Sequence, residues 1–197
     1  METCAFYDPD GNNAEPTIQM FCVPTVYLDR DVMGTDPGDG VTINSLLLRP
    51  KARGSVTLSS ADPFADPVVS TGIFSHPDDL RLTIASFRFA RSVLDTAPMR
   101  DLVDREIFPG GDVTSDEAIA EHCKRTVKTG YHPVGTCRMG HDGDEMAVLT
   151  RGLRVRGVRN LRVIDASMMP TIVSGNTNAA VLGAAAKAAD LILEGAA

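Results

Sequence analysis

Tryptophan is absent from this 197-residue chain, aromatic residues make up only 5% of it, and basic side chains are in the minority. Against 26 Asp and Glu stand 19 Lys and Arg, a formal net charge of −7. That balance excludes a surface built for nucleic-acid phosphates or anionic lipid, since non-specific attraction to either needs positive charge. No apolar run approaches the roughly 18 residues of a bilayer-spanning helix, so no membrane segment is expected in this chain. Met1-Glu2-Thr3-Cys4 has neither the basic start nor the apolar core of a secretory leader. The cysteines at 4, 22, 123 and 137 form no C-x-x-C, and a chain of this length needs no disulfide staples. Reduced thiols and a cytoplasmic location are the expectation. Phosphate-binding signatures are missing too. Gly38 and Gly40 are followed by Ile43 where a G-x-G-x-x-G would place its third glycine, and no G-K-[ST] occurs.

What is present, 43% hydrophobic and 23% charged residues, describes a soluble globular chain of one domain or one with a small companion. Residues 1–16 read as a loop, with turn signals at Asp8-Pro9-Asp10-Gly11-Asn12. Strands are expected over 17–23, 41–48, 55–58 and 68–69, with a further loop from Asp29 to Gly40. Short strands between Gly, Pro and Asp turns imply an antiparallel sheet. A helix opens at Pro77, with Asp78 and Asp79 complementing its dipole, and carries Leu80, Ile84, Phe87, Val93 and Leu94. A second is expected from a capping box, Thr114 at N-cap and Glu117 at N3, to about Lys128. The last third changes character. Short strands at 153–155 and 161–164 lead through a loop after Met168-Met169-Pro170 to a helix over 179–194, closed by Gly195. The small residues of that helix suit close packing on a sheet, so this strand–loop–helix ending belongs to an α/β layer. The class is therefore α+β, with an α/β closing piece.

Chemistry concentrates in Tyr131-His132-Pro133-Val134-Gly135-Thr136-Cys137-Arg138-Met139-Gly140. A loop histidine beside proline and glycine can point an imidazole into a cleft, where it would accept a proton near neutrality. The alternative is a loop histidine satisfied by backbone groups. His122, Cys123, His132, Cys137 and His141 fall within 20 positions, but their spacings do not resemble paired zinc ligands, and no metal site is expected. A Cys137/His132 nucleophile pair lacks an orienting third group. His122 fits better as a boundary residue beside Ile119, Cys123 and Thr126. At the head of the last helix, Ser174-Gly175-Asn176-Thr177-Asn178-Ala179 supplies ordinary N-caps. The same geometry would turn free N–H groups toward an anion or an electron-rich carbonyl.

Three motifs together resemble the glucose–methanol–choline (GMC) oxidoreductases, of choline dehydrogenase-like type. They are the Tyr131–Gly140 run, the stretch from Leu153 to Thr171 containing Asn160-Leu161-Arg162-Val163-Ile164-Asp165-Ala166-Ser167, and Gly175-Asn176-Thr177-Asn178-Ala179-Ala180 with its helix. Upstream, Arg49-Pro50-Lys51-Ala52-Arg53-Gly54-Ser55-Val56 is similar to a strand of the family's substrate domain, with Ala52 where relatives often carry serine. The resemblance implies FAD as cofactor and a small-molecule alcohol as substrate. The family pairs a histidine with a later His or Asn, and here Asn176 lies 44 positions after His132. By that correspondence His132 takes the hydroxyl proton, Asn176 binds the substrate oxygen, and hydride passes from carbon to flavin N5. Asp165 and Ala166 would meet the ribityl–pyrophosphate side of the flavin, and Thr177 and Asn178 the ring end. Residues 1–140 would be part of the substrate-binding domain and 141–197 the closing segment of a Rossmann-like FAD-binding domain. The family's glycine fingerprint is missing, so an N-terminal flavin-binding portion, on the same or a separate chain, would be needed; any targeting signal would lie there. Two other readings compete: a non-catalytic remnant or interaction module, and a metal-dependent hydrolase.

Overall fold

Ile18 and Met20 stand two residues apart, and strand β2 (Ile18–Val23) accordingly turns both to one face, into the core beneath a three-stranded antiparallel sheet. The computed structural model describes residues 3–11, 15–26 and 39–195. The loop expected over 29–40 falls outside them as far as residue 38. The flanking strands are β1 (Thr3–Tyr7) and β3 (Thr42–Leu47), in the order β1-β2-β3, with Ile18 opposite both Tyr7 and Leu47.

Strand β1 corrects the loop expected over 1–16. Four of its five residues are exposed, so no buried face marks it in the sequence; its partner strand and the stacking of Tyr7 on Phe89, with ring centroids 3.8 Å apart, define it. The turn at 8–11 does form, with Gly11 at φ +62°.

Helix α1 (Pro77–Leu94) covers this sheet through Leu82, Phe89 and Ala90, which share one face at i, i+7 and i+8. His76 caps it, its Nδ1 accepting from the Asp78 amide. Asp79 is only 2% exposed, and its two carboxylate oxygens accept from the Lys51 and Ala52 amides at 2.9 and 2.8 Å. The chain leaving β3 is thereby clamped to the first turn of α1. Helix α2 (Asp116–Thr126) starts one residue later than expected, because Ser115 and not Thr114 accepts from the Ala118 amide. Thr114 instead gives its carbonyl to Arg88, and α2 ends at Thr126 where Val127 becomes extended. These elements belong to one compact unit, Met1–Arg53 with Gly72–Lys128.

A second unit comprises Gly54–Thr71 and Thr129–Ala197. Its first part is a hairpin of β4 (Ser55–Thr57) and β5 (Val68–Ser70), exposed at every strand residue. Gly54 sits so close to the returning strand that a Cβ there would lie 2.1 Å from the Ser70 carbonyl oxygen. In its second part, the strands expected at 153–155 and 161–164 reduce to single bridges, Leu149 with Val155 and Arg154 with Arg162. Left-handed backbone at Leu153, Gly157 and Asn160 turns the chain too often for longer pairing. Leu149, Met168 and Met169 form the core there, and helix α3 (Asn178–Leu193) packs on it through Ala180, Val181 and Ala184. Gly195, at φ +68°, ends the chain's helical course as expected. Antiparallel sheets and three α-helices among the described residues make the class α+β. No helix among them is long and apolar enough to cross a membrane.

Candidate active site

The loop bearing His132 is held from both sides. Tyr131 reverses the chain at φ +61°, and Gly135, at φ +91°, passes under the Met169 carbonyl, where a Cβ would sit 3.3 Å from the oxygen. Beyond it the Cys137 and Met139 amides donate to the carbonyls of Ser167 and Met168 at 3.0 and 2.9 Å. The histidine loop is thus laced by backbone bonds to the 3-10 turn Ala166–Met168.

The half-buried His132 ring is bracketed by two consecutive residues at the head of α3. Its Nδ1 lies 3.1 Å from Thr177 Oγ1 and its Nε2 lies 2.9 Å from Asn176 Nδ2. Both ring nitrogens therefore meet side chains, which decides against a histidine satisfied by backbone. The amide nitrogen of Asn176 can only donate, so this contact is a hydrogen bond when Nε2 carries the lone pair. Asn176 is exposed, so the Nε2 side of the ring is reached from solvent, whereas Thr177 is only 7% exposed.

Thr177 occupies the N-cap position of α3 without capping it. Its φ and ψ of −78° and −20° are helical, its side chain makes no cap bond, and only its carbonyl joins the ladder, accepting from the Val181 amide at 3.0 Å. Thr177 thus gives the first turn of α3 no side-chain cap, and the exposed Asn178 is its first helical residue. Asp165 is exposed and caps its own 3-10 turn, accepting from the amide and the hydroxyl of Ser167, and Ala166 opens that turn. The structure thus brings His132, Asn176 and Thr177 into contact. Asp165 and Ala166 are tied to the same loop through the backbone, and the side-chain bonds of Asp165 stay within the turn. Sequence reasoning missed the Thr177–His132 bond, because threonine at a helix head reads first as a cap; its adjacency to Asn176 is the only local signal.

The remaining candidates have other surroundings. His122 stands edge-on to Phe87 and Phe108, with centroids 5.5 and 5.0 Å away, and its buried Nδ1 has no hydrogen-bond partner. Burial pushes its pKa below the ordinary histidine value, with Arg125 adding to the effect. Burial also raises the Cys123 thiol. His141 accepts from the Gly143 amide through Nδ1, and Cys137 packs against the Leu149 core. Among the described residues no group of three or more His, Cys, Asp or Glu side chains could hold a metal ion.

Comparison with known proteins gives this chain a family. The GMC oxidoreductase model matches residues 50–185, more than half of the sequence. The chain belongs to the GMC oxidoreductase family. It is 40% identical over 192 residues to the alcohol dehydrogenase (acceptor) of Pseudomonas putida, covering 98% of this chain and 34% of that protein. It is 38% identical over 192 residues to the oxygen-dependent choline dehydrogenase of Photobacterium profundum, again covering 98% and 34%. Among solved structures, the chain is similar to pyridoxine 4-oxidase from Mesorbium loti, with a TM-score of 0.88 at 26% identity over 97% of this chain and 37% of that one. This GMC chain spans about a third of the length of the curated relatives it matches.

Proposed function

We propose that the chain is the substrate-facing, catalytic C-terminal part of an FAD-dependent alcohol oxidoreductase, completed by an N-terminal flavin-binding portion on the same or a separate chain. The observation that carries this reading is the 2.9 Å approach of Asn176 Nδ2 to His132 Nε2. A lone pair and an amide donor converge there from a loop and a helix head that share one core. An alcohol entering between them would give its hydroxyl proton to Nε2 while its oxygen accepts from Nδ2. Asparagine does not titrate, so its donor persists as the oxygen gains negative charge, and a positioned base of this kind contributes about 10²–10⁴ in rate. GMC oxidoreductases are FAD enzymes, and FAD, when bound, supplies the acceptor for the hydride. The residues present fit that group in part. The positive end of the α3 dipole, beside Asn178 and the backbone of Thr177, would suit electron-rich carbonyls of the ring. The turn at Asp165 and Ala166 would face the ribityl–pyrophosphate side, and the sequence contains no G-x-G-x-x-G for the ADP half.

We assign residues 1–140 to the substrate-binding domain and 141–197 to the end of the flavin-binding domain, with the compact unit that holds the catalytic pair beginning again at Thr129. One observation favours a second reading, an interaction module without flavin. Leu58, Phe64 and Leu193 stand 88%, 94% and 86% exposed, apolar surface of the kind a partner covers. Fusing or mixing the chain with the flavin-binding portion of a relative separates the two. Flavin absorbance and alcohol-dependent dye reduction are expected; failure to take up flavin under any complementation overturns the enzymatic reading in favour of the module.

A further inference from the structure

We infer that Thr177 is a positioning residue that holds His132 in the tautomer with the proton on Nδ1 and the lone pair on Nε2. This inference rests on the proposed role of the His132–Asn176 pair and adds to it the group that makes the histidine a base in the required direction.

The argument starts from what a threonine at the head of a helix ordinarily does. Its hydroxyl accepts from an amide of the first turn, and the residue takes an extended backbone to allow it. Thr177 does neither: its backbone is already helical and it makes no cap bond. Its hydroxyl lies instead 3.1 Å from His132 Nδ1, in a residue 7% exposed, where water competes little for that contact. The other ring nitrogen meets the Asn176 amide nitrogen at 2.9 Å. That nitrogen donates only, so a proton on Nε2 would set one N–H against another. With the proton on Nδ1, both contacts are hydrogen bonds: Nδ1–H donates to Oγ1, and Asn176 donates to Nε2. Which nitrogen of a neutral histidine carries the proton is decided by the bond the other one makes, and here consecutive residues of one loop–helix junction decide both. A hydroxyl oxygen can accept from the ring before and after Nε2 is protonated, so the same bond serves both states and the ring need not turn over during the reaction.

The tautomer is read directly from long-range proton–nitrogen correlations of the full chain labelled with ¹⁵N-histidine, about two pH units above the ordinary histidine pKa of about 6.5. The chain has 4 histidines, and a His132→Gln sample assigns the signal. The wild type should show Nδ1 protonated. Thr177→Val, which keeps the shape and removes the hydroxyl, should move the tautomer ratio toward Nε2–H roughly fivefold, the equivalent of about 1 kcal/mol for one neutral side-chain hydrogen bond. Thr177→Ser should restore it. In the flavin-completed protein, Thr177→Val should lower kcat by a similar factor at unchanged KM for the alcohol, again with recovery in Thr177→Ser. A wild type carrying the proton on Nε2 overturns the inference, even if Thr177→Val fails to fold, and so does a Thr177→Val chain with wild-type tautomer. A tautomer shift in Thr177→Val together with undiminished activity of His132→Ala would uphold the positioning and overturn the alcohol-oxidising role.

Discussion

Replacing Asp79 should cost more stability than any other carboxylate on α1, and the reason can be worked from its contacts. The side chain is 2% exposed and its two oxygens each accept a backbone N–H, from Lys51 at 2.9 Å and Ala52 at 2.8 Å. A hydrogen bond to a charged group contributes about 1.5–3 kcal/mol, and a buried donor left without a partner costs a comparable amount. Asp79→Asn keeps one acceptor and turns an amide NH₂ toward the other N–H, so a loss of about 2 kcal/mol is expected. Asp79→Ala removes both acceptors and should lose about 3–6 kcal/mol, a large share of the roughly 5–15 kcal/mol that holds a domain together. The neighbouring Asp78 is the internal control. Its ion pair with Lys51 lies at the surface, with side chains 37% and 58% exposed, and Asp78→Ala should have a far smaller effect. Urea unfolding followed by circular dichroism gives the differences from the midpoints, provided the slopes agree. A loss below about 1 kcal/mol in Asp79→Ala would refute the clamp, because it would mean that the two amides find other acceptors.

Two further outcomes follow from the same unit. His122 has a folded pKa below its ordinary value because it is buried, so acidification protonates the unfolded chain first; stability should be fully present above about pH 6.5 and fall as pH drops below it. His122→Leu should flatten that dependence in urea midpoints compared at about pH 7.5 and 5.5, and an unchanged slope would contradict it. Arg91 binds both oxygens of Glu106 at 2.9 Å and the carbonyls of Val113 and Gly110, with its guanidinium 4.5 Å from the Phe87 ring centroid. Lysine cannot reproduce that fork, so Arg91→Lys should lower stability by about 1–2 kcal/mol in the same assay.

How far the sequence is legible depends on where each signal lies. The start of α1 can be read because a proline and two acidic residues in succession mark a helix's first turn whatever their partners. The clamp made by Asp79 cannot, because its partners are backbone amides 27 and 28 positions away. They use no side chain of residues 51 and 52, so alanine at 52 leaves this contact intact. Strand β1 hides because an exposed edge strand has no buried face to set a period. The start of α2 slips by one residue because Thr114 and Ser115 are both competent caps, and Arg88 takes the Thr114 carbonyl. Within the site, His132 and Asn176 are legible as a pair through the family spacing alone. Thr177 is read as a cap from local rules and as a flavin contact from the family resemblance, and only the fold brings Nδ1 to its hydroxyl.

The central claim is that His132 is the base of an alcohol-oxidising site, and one comparison tests it most directly. In the flavin-completed protein, the anaerobic rate of flavin bleaching by alcohol should fall about 10²–10⁴-fold in His132→Ala, with flavin content unchanged. Bleaching at the wild-type rate in that variant would contradict the account.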